Sequence, residues 1–108
     1  MTVPDDLRAR LAGPGLSLAW FSLGSVPLVE IAARTGFDAA VIDLQHGLWD
    51  RMSTHLAVSA LGPVPVLARV SAISAAAIGE ALDSGAAGVL VPLVETAEQA
   101  RLAVAAAL

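Results

Sequence analysis

Polar and ionisable side chains lie just after the apolar runs of this sequence rather than inside them. The run that ends at Ile42 is followed at once by Asp43, Gln45 and His46. A carboxylate three residues before a histidine, where a strand gives way to a loop, can orient the imidazole and raise its basicity. This pair predicts acid–base chemistry. The alternative is a loop histidine whose N–H is satisfied by a helix-capping aspartate.

Arg69 ends the next apolar run and predicts a site for an anion. A guanidinium at the end of a buried strand is costly unless it meets a negative charge. It could bind a substrate carboxylate or enolate as a fork. Alternatively, it could form a structural ion pair with Asp43 or Glu95.

Five other residues have weaker claims to a role. Trp20 could be an aromatic wall beside a small polar pocket or a specific contact. Gln45 either hydrogen-bonds a metal-bound water at the rim or merely fills polar space. Glu95 could ligate a metal, although a first-turn carboxylate favoured by the helix dipole is the better interpretation. His55 falls within a helix as a solvated or interface side chain. Asp83 lies near a helix end, where it is either a surface residue or serves another subunit.

The apolar runs recur at the spacing of one β/α unit and must position these residues. Strands are expected to begin near residues 17, 39, 64 and 88, each followed by a helix. The predicted strands cover residues 16–23, 39–45, 64–70 and 88–94, and a first helix is predicted over residues 1–13 with Asp5 as its cap. Ser25 is expected to cap the second helix, and Thr96 with Gln99 to form a capping box for the last.

This pattern predicts an α/β fold with a parallel sheet. The strands are continuously apolar, as expected when both faces of a parallel sheet are buried. Four units are half of a (β/α)8 TIM barrel, which needs about 250 residues. We therefore expect residues 1–108 to be a single domain, the first four β/α units of a barrel in a truncated chain. A small flavodoxin-like sheet is the weaker alternative, because no phosphate-binding loop follows the first strand.

Composition excludes several classes of function. The net charge is −4 and the sequence holds no basic run, so nucleic-acid binding is not expected. The chain lacks both cysteine and lysine, which removes thiolate sites, Schiff-base catalysis and the P-loop lysine. No apolar run reaches the about 18 residues that span a membrane. The acidic first residues do not make a secretory signal, so a cytoplasmic location is the expectation.

Taken in order, these segments resemble the HpcH/HpaI aldolase family, the metal-dependent hydroxy-ketoacid aldolases of the 4-hydroxy-2-oxoheptanedioate type. The segments that carry the resemblance are Trp20, residues 36–38 (GFD), 42–47 (IDLQHG), 66–70 (VLARV), 81–86 (ALDSGA) and 88–94 (GVLVPLV), with Thr96, Ala97 and Glu98. The resemblance implies a (β/α)8 barrel in a homo-oligomer, often a hexamer. It also implies reversible cleavage of a 4-hydroxy-2-oxo acid into pyruvate, or a related 2-oxo acid, and an aldehyde.

The family's functional residues can be placed on matching positions of this sequence. His46 with Asp43 would be an acid–base dyad acting through water, and Arg69 would steady the oxygen of the pyruvate enolate. Trp20 and Gln45 would join Arg69 in contacting substrate. Asp83 would approach the site of a neighbouring subunit. A divalent cation such as Mg²⁺, Mn²⁺ or Co²⁺ holds the enolate in this family, in agreement with the missing lysine.

Two departures from the family pattern limit these expectations. Many members carry glutamate where this chain has Gln45. The family's metal-binding glutamate and aspartate lie on the next strands, beyond Leu108, so no metal ligand is expected within the chain. We therefore expect the isolated chain to bind metal poorly and to be inactive as an aldolase. The alternatives are a citrate-lyase-β or malyl-CoA type of lyase, and a non-catalytic α/β fragment that only oligomerises.

Overall fold

The computed structural model describes residues 5–108, and side chains from residue 7 onward, as one helix followed by four β/α units. The helices are α1 (Asp5–Ala12), α2 (Val26–Ala32), α3 (Arg51–Leu61), α4 (Ala75–Asp83) and α5 (Ala97–Ala107), and the strands are β1 (Leu18–Phe21), β2 (Ala39–Asp43), β3 (Val66–Arg69) and β4 (Gly88–Leu90). The start of the helix predicted over residues 1–13, and the Asp5 side chain expected to cap it, lie outside the described residues. No helix in this part of the chain is long and apolar enough to cross a membrane.

The four strands form one parallel sheet in the order β1-β2-β3-β4. Each pair of neighbouring strands is joined by a helix, as parallel pairing requires. The register places Asp43 of β2 opposite Arg69 of β3, and Arg69 opposite Leu90 of β4. The predicted α/β class with a parallel sheet is confirmed, and side chains at the carboxyl ends of neighbouring strands meet at one edge.

Successive residues of the strands face two separate apolar layers. The layer against the helices contains Val29, Ala40, Ile42, Ala57, Leu61 and Val66. The layer on the opposite face contains Leu7, Ala39, Val41 and Leu67. Asp43 follows Val41 by two positions, so its side chain lies on the same face of the sheet as Val41. At the opposite end of the strands, Leu7 of α1 packs on this face. All five residues of β2 are buried, which places Asp43 at the end of the best-covered strand.

Side-chain caps fix where the crossover helices begin. The Ser25 hydroxyl accepts the backbone N–H of Leu28, and Thr96 with Gln99 forms a capping box at the start of α5, as predicted. Ser74 caps α4, and Asp50 with Ser53 forms a second capping box at α3. These caps satisfy N–H groups that no helical carbonyl can reach, so each loop between strand and helix has a defined end.

The strand that begins at Gly88 is shorter than predicted. It ends at Leu90, and Pro92 and Leu93 form a turn instead of continuing to residue 94. Proline has no N–H for the ladder, and Leu93 has a φ of 63°, in the left-handed region. The loop brings Glu95 to the position before the Thr96 cap, so the acidic residue of the first turn of α5 is Glu98 rather than Glu95.

Candidate functional site

An ion pair between Asp43 and Arg69 lies at the carboxyl edge of the sheet. The Nε and Nη2 atoms of Arg69 donate to Oδ1 and Oδ2 of Asp43 at 3.1 and 2.6 Å. This two-bond geometry follows from the register, because the two residues are directly opposite each other on neighbouring strands. The Asp43 side chain is 3% exposed and that of Arg69 is 28% exposed. The carboxylate is thus buried, whereas part of the guanidinium is accessible to solvent.

The Asp43 carboxylate accepts three further hydrogen bonds. Oδ1 accepts the backbone N–H groups of Gln45 and His46, each at 3.1 Å, and Oδ2 accepts the indole N–H of Trp20 at 3.3 Å. The Arg69 guanidinium, and then these donors, hold the pKa of the Asp43 carboxyl well below its usual range, although burial acts in the opposite direction. Asp43 is therefore an anion that organises the site and a poor proton acceptor.

His46 lies in the turn that follows β2, with its side chain exposed. Its backbone N–H, and not its imidazole, is the group that Asp43 binds among the described residues. The structure therefore differs from the predicted dyad, in which the carboxylate holds the imidazole. The physical reason is that Arg69, Trp20 and two backbone N–H groups already occupy both oxygens of Asp43. The part of His46 in proton transfer stays a prediction.

Trp20 lies on strand β1, which is the neighbour of β2 on the side away from β3. Besides its hydrogen bond to Asp43, its ring lies 4.9 Å from the Cζ atom of Arg69. This distance is within the range of a cation–π contact. Three neighbouring strands thus contribute one residue each to a single cluster, and the alternative that Arg69 pairs with Asp43 is the one observed.

The remaining predicted residues lie around or away from this cluster. Gln45 is half-buried in the turn beside His46, and its backbone is fixed by Asp43. Asp83 is the last residue of α4 and is exposed, while His55 is exposed on α3. Glu95 donates its backbone N–H to Oε1 of Gln99, and no contact with Arg69 is found in the described part of the chain.

The sequence analysis missed the contacts that hold the His46 turn in place. The backbone N–H of Leu48 donates to the carbonyl of Ser22 at 2.9 Å, and the indole N–H of Trp49 donates to the carbonyl of Phe21 at 2.9 Å. Gly47 lies where these backbones meet: a Cβ atom there would be 2.1 Å from the carbonyl oxygen of Asp43. The glycine after His46 was the available signal, but only the folded turn, which brings the carbonyl of Asp43 back against position 47, reveals why it is needed.

Replacing Gly47 with alanine is expected to lower the free energy of unfolding by about 1–3 kcal/mol, because the backbone must move to admit the methyl group. The φ angle of Gly47 is not in the left-handed region, so contact rather than torsion requires glycine. Urea denaturation would measure the change. Gly79→Ala in α4 is the matched control, because a Cβ atom there meets nothing within 4 Å. The control should be neutral or slightly stabilising; equal stability of the two variants would contradict the packing argument.

The described residues do not by themselves make a metal site. No group of three or more histidine, cysteine, aspartate or glutamate side chains within residues 7–108 is arranged to hold an ion. Asp43, the carboxylate nearest the cluster, is already engaged by Arg69 and by three N–H donors. A resident divalent cation therefore does not fit the donors that this part of the sheet edge offers.

The cluster is suited to holding an anion. Of the five N–H groups of the Arg69 guanidinium, two donate to Asp43. The other three donate to no group within the described residues and are free for a ligand. The side chain of His46 is exposed, and its backbone N–H is held by the carboxylate of Asp43. An anionic substrate bound to Arg69 would lie at the same end of the sheet as the exposed side chain of His46.

The matching family, the relatives and the solved structures all point to the same group of aldolases. The HpcH/HpaI aldolase/citrate lyase family matches residues 16–108. A hydroxypyruvate/pyruvate aldolase of Cupriavidus necator is 42% identical over 102 residues, which are 93% of this chain and 37% of the relative. A 4-hydroxy-2-oxovalerate aldolase of Novosphingobium aromaticivorans is 37% identical over 109 residues, covering 97% of this chain and 42% of the relative.

A solved structure has the same arrangement of elements. The crystal structure of an HpcH/HpaI aldolase/citrate lyase family protein from Burkholderia cenocepacia superposes with a TM-score of 0.86 at 30% identity. The superposition covers 95% of this chain and 42% of that one. The chain therefore spans roughly two fifths of the length of the proteins it matches.

Proposed function

Because this chain belongs to the HpcH/HpaI aldolase/citrate lyase family, we propose that it carries the anion-holding and proton-handling part of a pyruvate aldolase. Such an enzyme is a carbon–carbon lyase that reversibly cleaves a 4-hydroxy-2-oxo acid into pyruvate and an aldehyde. The observation that supports this most directly is the Arg69 guanidinium, which Asp43 fixes and which keeps three N–H groups free at the sheet edge. The names of the relatives, which are aldolases of 2-oxo acids, support the same reaction class.

Arg69 is the proposed holder of the 2-oxo acid. Cleavage moves an electron pair from the breaking carbon–carbon bond onto the 2-oxo group, which becomes an enolate oxygen. Free guanidinium N–H groups that face this oxygen bind it more tightly as its charge develops, and this lowers the barrier. Because Asp43 and Trp20 already fix the guanidinium, little reorganisation is needed during the reaction.

His46 is the proposed proton carrier. Cleavage needs a base that removes the proton of the 4-hydroxyl group, and the enolate then needs a proton on carbon to become pyruvate. An imidazole suits both steps because its two ring nitrogens can accept and donate a proton. We propose that His46 acts through a water molecule, and that Asp43 assists by fixing the His46 backbone and Arg69 rather than by holding the imidazole. Gln45 would form part of the wall around the substrate.

The family generally depends on a divalent metal, and we propose that the whole protein does so too. The described residues do not fit such an ion. Its ligands would therefore come from parts of the polypeptide that correspond to the rest of the relatives' length. We also propose that the four β/α units belong to a (β/α)8 barrel, and that the barrel assembles as a homo-oligomer in which Asp83 approaches a neighbouring site.

A hybrid protein tests this proposal. The chain would replace the matched segment of the Cupriavidus necator relative, and pyruvate release from a 4-hydroxy-2-oxo acid would be followed for the hybrid and for the isolated chain. We expect metal-dependent release from the hybrid, abolished by a chelator, and none from the isolated chain, which lacks a fitting set of ligands in its described part. Circular dichroism would establish that both proteins are folded.

Two outcomes would count against the proposal. A folded hybrid without activity would contradict the assignment of these residues to an aldolase site. Metal-dependent pyruvate release from the purified isolated chain would contradict the expectation that essential ligands lie elsewhere. The identity of the aldehyde product, followed separately with several oxo acids, would narrow the substrate class.

A further inference from the structure

The role of Trp20 is not explained by core packing. Trp20 is 47% exposed, although it is a large aromatic residue in a strand. Phe21 and Trp49 are partly buried against an apolar cluster, whereas Trp20 is exposed and is not part of the buried core. Its position is defined instead by contacts at the carboxyl end of the sheet.

The contacts of Trp20 point to Arg69. The indole N–H donates to Oδ2 of Asp43, the same oxygen that accepts Nη2 of Arg69. The Cζ atom of Arg69 lies over the indole ring, 4.9 Å from the ring centroid. One side chain thus contacts both partners of the ion pair, the carboxylate through its edge and the guanidinium through its face.

These two contacts restrict the one long, flexible side chain in the cluster. Asp43 fixes the edge of the guanidinium formed by Nε and Nη2. An aromatic ring in contact with the guanidinium restricts motions of the Arg69 side chain that the edge contact alone permits. The free edge, formed by Nη1 and Nη2, is then aimed in one direction.

We propose that Trp20 is a positioning residue that aims the free edge of Arg69 at the anionic part of the substrate. The proposal rests on the assignment of Arg69 as the anion holder under the proposed function. Trp20 then affects substrate binding and cleavage through Arg69, and it takes no part in the proton transfers of His46. This differs from the aromatic wall predicted from the sequence, because a wall would act by its own contact with substrate.

Hydrogen exchange of the Arg69 Nε–H tests the positioning without any substrate. NMR spectroscopy of the isotope-labelled chain would resolve its six arginine Nε–H signals, and the signal lost in Arg69→Lys identifies Arg69. We expect exchange at this group to accelerate about tenfold in Trp20→Leu, the scale of coupling between residues in contact. Trp20→Phe keeps a ring face but not the N–H and should fall between Trp20→Leu and the wild type.

Leu18→Ala is the matched control, because Leu18 lies on the same face of β1, two residues away, and is similarly exposed at 43%. It should leave the exchange rate unchanged. An Arg69 exchange rate in folded Trp20→Leu equal to that of the wild type would overturn the proposal. Equal acceleration by Leu18→Ala would also overturn it, because the effect would then reflect general loosening of β1.

A double-mutant comparison in the hybrid protein separates positioning from direct contact. Trp20→Leu is expected to lower kcat/KM about tenfold without changing its pH profile, and to have less than about a twofold effect in the Arg69→Lys background. Equal loss in both backgrounds would mean that Trp20 acts independently of Arg69. If the wild-type hybrid is inactive, the proposed function fails, whereas the exchange measurement still decides whether Trp20 positions Arg69.

Discussion

Asp43→Asn is expected to lower the free energy of unfolding by about 3 kcal/mol, one of the two largest effects predicted here. Removing one partner of a buried ion pair leaves the other charge without compensation, which costs about 3–5 kcal/mol in fully buried cases. The lower end applies because the Arg69 side chain is 28% exposed. The N–H donors of an asparagine amide at position 43 would also face N–H groups that now donate to the carboxylate of Asp43, so some of these hydrogen bonds would be lost. Urea denaturation of both proteins near neutral pH measures the difference.

The pH dependence of that difference is a sharper test, because its sign is fixed. The pKa of the Asp43 carboxyl is depressed in the folded chain, mainly by Arg69. Its stabilising effect is therefore complete above the unfolded pKa of about 3.9 and is lost as the pH falls through that value towards the folded one. The advantage of the wild type over Asp43→Asn should thus shrink between about pH 6 and about pH 3. Contributions of Asp38 and Asp50, whose pKa values are also lowered, cancel between the two proteins.

Asp38→Asn supplies the control for the Asp43 experiment. Asp38 also pairs with an arginine, Arg10, and accepts a backbone N–H, that of Ser17. Both members of this ion pair are far more exposed than Asp43, so water can replace the lost contacts and the loss should be clearly smaller. A loss for Asp38→Asn as large as that for Asp43→Asn would contradict the claim that burial makes the Asp43 pair special. So would a difference between wild type and Asp43→Asn that does not change with pH.

The features that could be predicted from sequence are those set by local chemistry. Ser25 and the Thr96–Gln99 box begin their helices as expected, because a cap depends on residues within one turn of it. The parallel strands could be predicted from the continuous apolar runs, because a strand buried on both faces needs apolar residues at successive positions. Strand β4 was predicted too long, because apolar residues on both sides of Pro92 mask a turn that the missing N–H and the φ of Leu93 impose.

The site was predictable as a set of residues but not as a set of contacts. Strand ends identified Asp43 and Arg69, and the alternatives for Arg69 stayed open because pairing depends on the register between β2 and β3. That register contributes to the difference at His46, because Arg69, Trp20 and two backbone N–H groups together leave Asp43 no free acceptor position for the imidazole. The need for glycine at position 47 arises from the shape of the turn after β2, which brings the carbonyl oxygen of Asp43 within 2.1 Å of where a Cβ atom would lie.

His46→Ala has the second large expected effect, on the rate rather than on stability. The side chain is exposed, so its removal should change the free energy of unfolding by no more than about 0.5 kcal/mol. General acid–base catalysis by a placed side chain contributes about 10²–10⁴-fold to a rate. If His46 carries both protons of the cleavage, its loss should fall in that range while Arg69 still binds the oxo acid.

His55→Ala is the matched control for this experiment. His55 is the other histidine of the chain and is exposed on α3, away from the end of β2. The same substitution there removes an imidazole without touching the cluster of Trp20, Asp43 and Arg69. Both variants would be made in the hybrid with the Cupriavidus necator relative and compared at saturating divalent metal.

The rate of pyruvate release by these two variants tests the central claim most directly, namely that the carboxyl edge of β2 and β3 is the proton-handling and anion-holding part of an aldolase site. We predict a fall of about 10²–10⁴-fold for His46→Ala and an unchanged rate for His55→Ala, with both proteins folded. Equal rates for His46→Ala and the wild-type hybrid would contradict the claim.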